Sequence, residues 1–289
     1  AAPSISSAQA ASTVAETGSA RVRIATYNTE YGRTPEAVAQ DIKNLSAAGA
    51  DIIALQEMGT RARRDAVRSQ LVDCPTCEFD DFMPDSAEEN ATPILYKWAK
   101  YRLLGTGTVK VSERTYVGSS GAGPSTLKAK FINYVSLRHR VTGQELYVLN
   151  NHAVPSVQGD GGGRNLDHPE RLELYRQHME GLRSLITQLK ETGAAIFVTG
   201  DFNVNYRRDV IVQDKLFPYY NMGEVSVYAS YKTLGMPEIG THVSGSNDTR
   251  LIDYVFSLRH DAVTPRSQDI LRGYGSDHRP VLVRYSLVG

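Results

Sequence analysis

Cysteine is nearly absent from this chain: Cys74 and Cys77, in "DCPTCEF", are the only two among 289 residues. Without a second Cys/His pair at suitable spacing they form at most half of a zinc site. Glu78, Asp80 and Asp81 follow them and oppose thiolate formation, against a redox motif. A local disulfide clipping a short loop is the favoured reading, and it suits an oxidising compartment. Net charge is also lacking, 32 basic residues balancing 32 acidic ones, so no global field announces a polyanionic partner. No apolar run approaches the roughly 18 residues of a membrane-spanning helix. A G-x-S-x-G elbow is missing, which leaves a serine hydrolase without support. The glycines of "SVQGDGGGRNLD" precede no Lys-Ser/Thr, so they are no phosphate-binding loop, and flexibility is their default reading. The single tryptophan, Trp98, falls inside the expected strand "ILYKW", so no aromatic hairpin is offered to a lipid surface.

What is present starts with "AAPSISSAQAASTVAETGSA", rich in Ala, Ser and Thr. Residues 1–20 read as a flexible lead-in left by signal cleavage, and the protein as secreted to the extracellular space. Residues 21–289 read as a single domain, since no linker divides them. "VRIATYN", "DIIALQE", "ILYKW", "RLLGTGTVKV", "AAIFVT", "LIDYVFS" and "PVLVRY" read as strands, and "KFINYVSLRHR" with "ELYVLNNH" as a hairpin. Helices are expected from Thr34 as cap and Pro35 to Gly49, over "TRARRDAVRSQLV", and from Pro169 to Gly193. Hairpins mixed with βαβ-like units suggest an α/β fold with two central sheets and helices outside.

The strands end in an unusual way. "ATYN" ends in Asn28, "IALQE" in Gln56 and Glu57, "YVLNNH" in Asn150, Asn151 and His152, and "FVTGDFN" in Asp201 and Asn203. Asp253 lies near the start of "RLIDYVF", and Asp277 and His278 precede the last strand. Each has a bland explanation when taken singly: Asn28 as a turn former, Asp201-Phe202-Asn203 as an Asx-turn, the histidines as satisfied core groups. The recurrence at apolar strand ends is what those explanations miss. Carboxylates without thiolates suit a hard cation such as Mg²⁺, Mn²⁺ or Ca²⁺. Amides and imidazoles donate to phosphoryl oxygens, and a His beside an Asp suits proton transfer.

These segments, "ATYNTE", "IIALQE", "LNNHAVPS", "FVTGDFNVN", "LIDYVF" and "GSDHRPV", resemble in content and order the endonuclease/exonuclease/phosphatase superfamily. The resemblance implies an α/β, four-layer αββα sandwich with the site at one edge of the paired sheets. It implies Glu57 as principal metal ligand with Asn28 beside it and Asp277 at the metal or in support. Asp201 would align or activate the attacking water, and Asn203 would hold a phosphoryl oxygen. His152 and His278 would contact the scissile phosphate, with Asp253 orienting His278. One departure concerns the acid that pairs with the first histidine in deoxyribonuclease I-like members. Here Asn90 stands in its place, after Glu88 and Glu89, so the partner of His152 is open and Asn90 is a candidate phosphate or metal contact.

Substrate is less legible. The arginines of "RARRDAVR", "LRHR", "GGRN" and "NYRRD" favour an endonuclease acting on DNA or RNA, although Arg64 and Arg68 on a helix also fit a solvated face. Asn151, Arg164, Tyr206 and Arg207 are its candidate substrate contacts, Tyr206 by stacking. A lipid or inositol-phosphate phosphodiesterase of the same fold is the alternative, and a non-catalytic binding module the third. No obligate protein partner is evident, and a monomer is expected.

Overall fold

A computed structural model describes residues 20–84, 86, 89–116, 126–216, 218, 227–258 and 262–287. In chain order its elements are β1 (Ala20–Asn28), α1 (Pro35–Ala47), β2 (Ile52–Gln56), α2 (Arg61–Leu71), β3 (Phe79–Phe82), β4 (Ile94–Lys97) and β5 (Tyr101–Ser112). Then come β6 (Thr115–Tyr116), β7 (Thr126–Leu127), β8 (Lys130–His139), β9 (Glu145–His152), α3 (Pro169–Lys190), β10 (Ala195–Asp201) and α4 (Tyr206–Val212). The chain ends with β11 (Val227–Ala229), α5 (Ser230–Leu234), β12 (His242–Ser244), β13 (Asn247–Arg250), β14 (Asp253–Leu258), β15 (Val263–Ile270) and β16 (Val281–Leu287). The lead-in expected over 1–20 lies outside the described residues except Ala20, which already belongs to β1.

Two six-stranded sheets form the centre, ordered β15-β16-β1-β2-β4-β3 and β11-β14-β10-β9-β8-β5. Each has one parallel pair in its middle, β1 with β2 and β9 with β10, joined through α1 and α3 as βαβ units. Alternation along the strands builds the layers. Val22 and Ile24 of β1 enter the core between the sheets, whereas Ala25 and Tyr27 meet α1 and α2. Helix α1 forms where expected: Thr34 Oγ1 accepts from Ala37 N at 3.3 Å, Pro35 opens the first turn, and Val38, Ile42 and Leu45 are buried. Helix α3 covers the second sheet with Leu182, Ile186 and Leu189. The result is the four-layer αββα sandwich. Cys74 and Cys77 are joined as a disulfide after α2.

The structure corrects two sequence expectations outside the site. Trp98 lies just beyond β4 and is half exposed, its indole N–H donating to Cys77 O. The glycine-rich loop is not a loose flap. It closes through a bridge between Gln158 and Arg164, and Gln158 ties it to the start of α4 by donating to Gly162 O and accepting from Asn205 N at 2.9 Å.

Candidate active site

Inward-facing positions on both parallel pairs end at the same edge of the sandwich, where the carboxyl ends of parallel strands leave a crevice. A buried polar ladder sets the register just below it. Gln56 Nε2 donates to Thr26 Oγ1 at 3.1 Å and to Asn150 Oδ1 at 2.7 Å, across the two sheets. Asn150 Nδ2 in turn donates to Leu55 O and Pro93 O. Gln56 and Asn150 are therefore supports, fully buried and paired. One rung further out the strands carry Asn28, His152, Asp201 and Asp253; in register Asp201 lies opposite both His152 and Asp253.

Asp201 is the hub of this rung. Its Oδ1 accepts from Asn203 N at 2.9 Å, so the Asx-turn is real. Its Oδ2 accepts from Asn28 Nδ2 at 3.0 Å and lies 3.6 Å from His152 Nε2 and 3.8 Å from His278 Nε2. Asn28 Nδ2 also reaches Glu57 Oε1 at 3.1 Å, and His152 Nε2 is 3.9 Å from that same oxygen. Burial, seconded by the charge of Asp253, pushes the Asp201 carboxyl up to about 6. Burial alone would push His278 down, but Asp253 and then Asp201 overcome it and raise the imidazole to about 10. The dominant contact is His278 Nδ1 to Asp253 Oδ2 at 2.9 Å. His152 goes the other way, well below its ordinary value, because burial and the charges of Lys130 and His278 all disfavour its cation. At neutral pH the site thus holds a cationic His278 beside a neutral His152, two imidazoles with different roles.

Backbone geometry shows what the site costs. Glu57 and Asn203 both adopt left-handed φ, 62° and 56°, where non-glycine residues are uncommon. Arg63 of α2 braces the first: its buried guanidinium donates to Glu57 O at 3.1 Å and to the carbonyls of Tyr31 and Arg33. Gly200 has φ 142°, and a Cβ there would meet Asn151 O at 2.1 Å. Only glycine fits this close approach of β10 to β9.

The remaining candidates divide. Asp253 orients His278 as the resemblance implied. Asp277 lies 3.9 Å from His278 Nε2 and 3.6 Å from His242 Nε2. Asn28 donates from its NH₂ to Glu57 and Asp201 while its oxygen accepts from Glu30 N, so it bridges the two carboxylates. Asn203 Nδ2 donates to Ala153 O at 3.1 Å, and the residue lines a polar cavity. Asn90 is buried, and its side-chain oxygen has no partner among the described residues. Glu88 lies outside the described residues, and Glu89 shares a pocket with Lys130 and His152.

Asn151, expected at the substrate, is a correction. Alternation on β9 sends it to the opposite face from His152, where it donates to Thr199 O and meets His178 Nε2 of α3 at 3.0 Å. Tyr206 packs on the core, Arg207 donates to the carbonyls of Pro237 and Glu238, and the half-exposed Arg164 pairs with Asp214 at 3.4 Å. Sequence reasoning missed His242, whose ring lies 4.8 Å from that of His278 and whose Nδ1 meets Arg250 at 3.3 Å. It also missed Lys130, whose charge acts on Asp201 and Glu57 although burial lowers its pKa. Neither stands at the carboxyl end of a predicted strand, so the pattern that marked the others did not mark them.

The donor set of carboxylate, amide and imidazole, converging at a sheet edge, defines a phosphoester-hydrolase class of site. The profile of the Endonuclease/Exonuclease/phosphatase family matches residues 25–278, and the chain belongs to that family. A search of curated proteins found no match. Among solved structures, an endonuclease/exonuclease/phosphatase from Bacteroides vulgatus is similar at TM-score 0.63 and 21% identity, covering 93% of this chain and 99% of its own. D. rerio TDP2 complexed with single strand DNA product aligns at 0.63 and 16%, covering 92% and 98%. The mannosyl-6-phosphatase Bt3783 of Bacteroides thetaiotaomicron aligns at 0.58 and 18%, covering 91% and 99%.

Proposed function

We propose that the protein hydrolyses phosphate esters by in-line attack of water, with Asp201 as the general base. The observation that carries this reading is the placement of Asp201, joined to Asn28 and within 4 Å of both His152 and His278. A carboxyl near 6 is ionised at neutral pH yet basic enough to take a proton from the attacking water. Hydrogen bonds from Asn28 and from Asn203 N fix the carboxylate's orientation, which spares reorganisation during the reaction. His278, held as a cation by Asp253, supports negative charge that develops on the phosphoryl oxygens. Neutral His152 supplies an N–H without adding charge.

The side chains fit a divalent cation. Glu57 is a partly exposed carboxylate and Asp201 a second one nearby, with only one amide between them and no thiolate in the set. Glu57 would hold the ion, and the all-oxygen preference supports Mg²⁺, with Mn²⁺ or Ca²⁺ as alternatives. When bound, it supplies Lewis-acid polarisation of a phosphoryl oxygen. The Cys74–Cys77 disulfide supports work in an oxidising, extracellular compartment.

The direct test is release of p-nitrophenol from bis-p-nitrophenyl phosphate by the purified chain with each metal, against an EDTA control. EDTA-sensitive release supports the reading; no release with any of the ions between pH 6 and 9 overturns it. An endonuclease is the second reading, favoured by the likeness to the DNA-bound TDP2 structure.

A further inference from the structure

The arginine clusters that suggest a nucleic-acid grip in the sequence are largely occupied in the fold. Arg61 pairs with Asp65 and Arg68 with Asp81, while Arg63 and Arg64 donate to backbone carbonyls. Arg138 pairs with Glu145, Arg140 donates to the carbonyls of Trp98 and Tyr101, and Arg164 and Arg207 are engaged as described above. A groove that tracks a phosphate backbone needs such groups facing the ligand. Here Arg63 is buried, and the exposed Arg61, Arg138 and Arg164 are paired with the neighbouring carboxylates of Asp65, Glu145 and Asp214.

The space beside the reacting centre has a different chemistry. A cavity of about 630 Å³ opens at Asn203, within the roughly 300–1,000 Å³ of small-molecule sites. Its walls include Asp160 and Asp167 from the segment after β9, Arg208 of α4, and Asn247 and Arg250 of β13. Two guanidinium groups are balanced by two carboxylates, so the lining does not call for a second phosphate. Pro155 is the sole apolar side chain among the described lining residues, and none is aromatic. Among the described lining residues a nucleobase finds no aromatic stacking platform and an acyl chain no apolar wall.

What such a lining matches is a neutral molecule dense in hydroxyls. Each hydroxyl both donates and accepts, so a carboxylate can take a hydrogen bond from one while a guanidinium or amide gives one to its neighbour. The walls are also set in advance. Gln158 ties the glycine-rich loop to α4, and Arg250 is steadied against His242, so little ordering is left to the moment of binding.

We propose that this cavity receives the alcohol portion of a sugar-phosphate or polyol-phosphate ester, its phosphoryl group at Asp201 and its hydroxyls against Asp160, Asp167, Arg208, Asn247 and Arg250. This rests on the hydrolase reading and names its substrate class. Hydrolysis transfers the phosphoryl group to water, the P–O bond to the sugar breaks, and the sugar oxygen leaves carrying a proton.

Steady-state kinetics on the full chain with Mg²⁺ or Mn²⁺ test it. The substrates are glucose 6-phosphate, myo-inositol 1-phosphate, p-nitrophenyl phosphate, bis-p-nitrophenyl phosphate and a single-stranded oligonucleotide. The expected result is a kcat/KM for at least one hydroxylated ester tenfold or more above that for p-nitrophenyl phosphate. Arg208→Met and Asp167→Asn, each checked for folding by circular dichroism, lower that ratio at least fivefold, chiefly through KM. If bis-p-nitrophenyl phosphate turns over but no hydroxylated ester is preferred, or neither variant moves the ratio, the cavity assignment is wrong and the hydrolase reading stands. Preferred cleavage of the oligonucleotide also overturns it, in favour of a nuclease. If no substrate turns over, the hydrolase reading falls and takes this one with it.

Discussion

Replacing Asp253 with Asn probes the electrostatics of the site through one atom pair. Asp253 Oδ2 lies 2.9 Å from His278 Nδ1, and both groups are buried. In the native protein the imidazole is raised from 6.5 to about 10 despite burial. At roughly 1.4 kcal/mol per pH decade, that is on the order of 5 kcal/mol of preference for the protonated ring. Asparagine keeps an oxygen that accepts from Nδ1–H but removes the charge. Asp201 and Asp277 remain, so part of the elevation survives; loss of a close opposite charge lowers a pKa by about 1–3. We therefore expect His278 to titrate above 9 in the native chain and at least about 1.5 lower in Asp253→Asn. The assay is the pH dependence of the His278 ring Cε1–H resonance, with kcat/KM against pH measured in parallel; the alkaline limb should move by the same amount. Because the folded-state pKa is raised, its stabilisation is complete below about 6.5 and lost as pH rises through about 10. The variant should accordingly lose most stability near pH 6, and the deficit should narrow in strong alkali. A native His278 titrating near 6.5, or one unmoved by the substitution, would refute the reasoning.

Glu57→Gln should raise the metal concentration for half-maximal turnover by at least about tenfold while leaving the melting temperature within a few degrees, since this carboxylate is partly exposed; an unchanged metal titration removes Glu57 as the ligand. His152→Ala should lower kcat/KM by about 10²-fold or more in a folded protein, because it deletes the neutral N–H donor that stands 3.6 Å from the hub carboxylate; native rates would exclude it from the chemistry. Gly200→Ala places a Cβ 2.1 Å from Asn151 O at φ 142°, and chemical denaturation should show a loss of several kcal/mol, in the range of about 3 or more for such strain. A loss below about 1 kcal/mol would mean that β9 and β10 separate more easily than their register implies.

The sequence by itself determined which strands exist and which of their ends carry chemistry. Apolar runs such as "DIIALQE" and "AAIFVT" are typical of buried strands, and β2 and β10 are fully buried. Glu57, His152, Asp201, Asp253 and His278 stood out because a carboxylate or imidazole at the end of such a run conflicts with local propensity, and the fold brings all five together. Tertiary structure decided the rest. Adjacent residues on a strand face opposite sides, so "NNH" contains a register support in Asn150, a helix contact in Asn151 and a site residue in His152, a distinction set by which face the second sheet covers. Likewise the arginine clusters were visible as composition, but their partners Asp81, Glu145, Asp214 and distant backbone carbonyls are known only once the chain is folded. His242 and Lys130 reach the site from outside the carboxyl ends of predicted strands, because their position depends on packing between sheets that are far apart in sequence. Local pattern specifies what a residue can do; the long-range register of the two sheets determines what it faces.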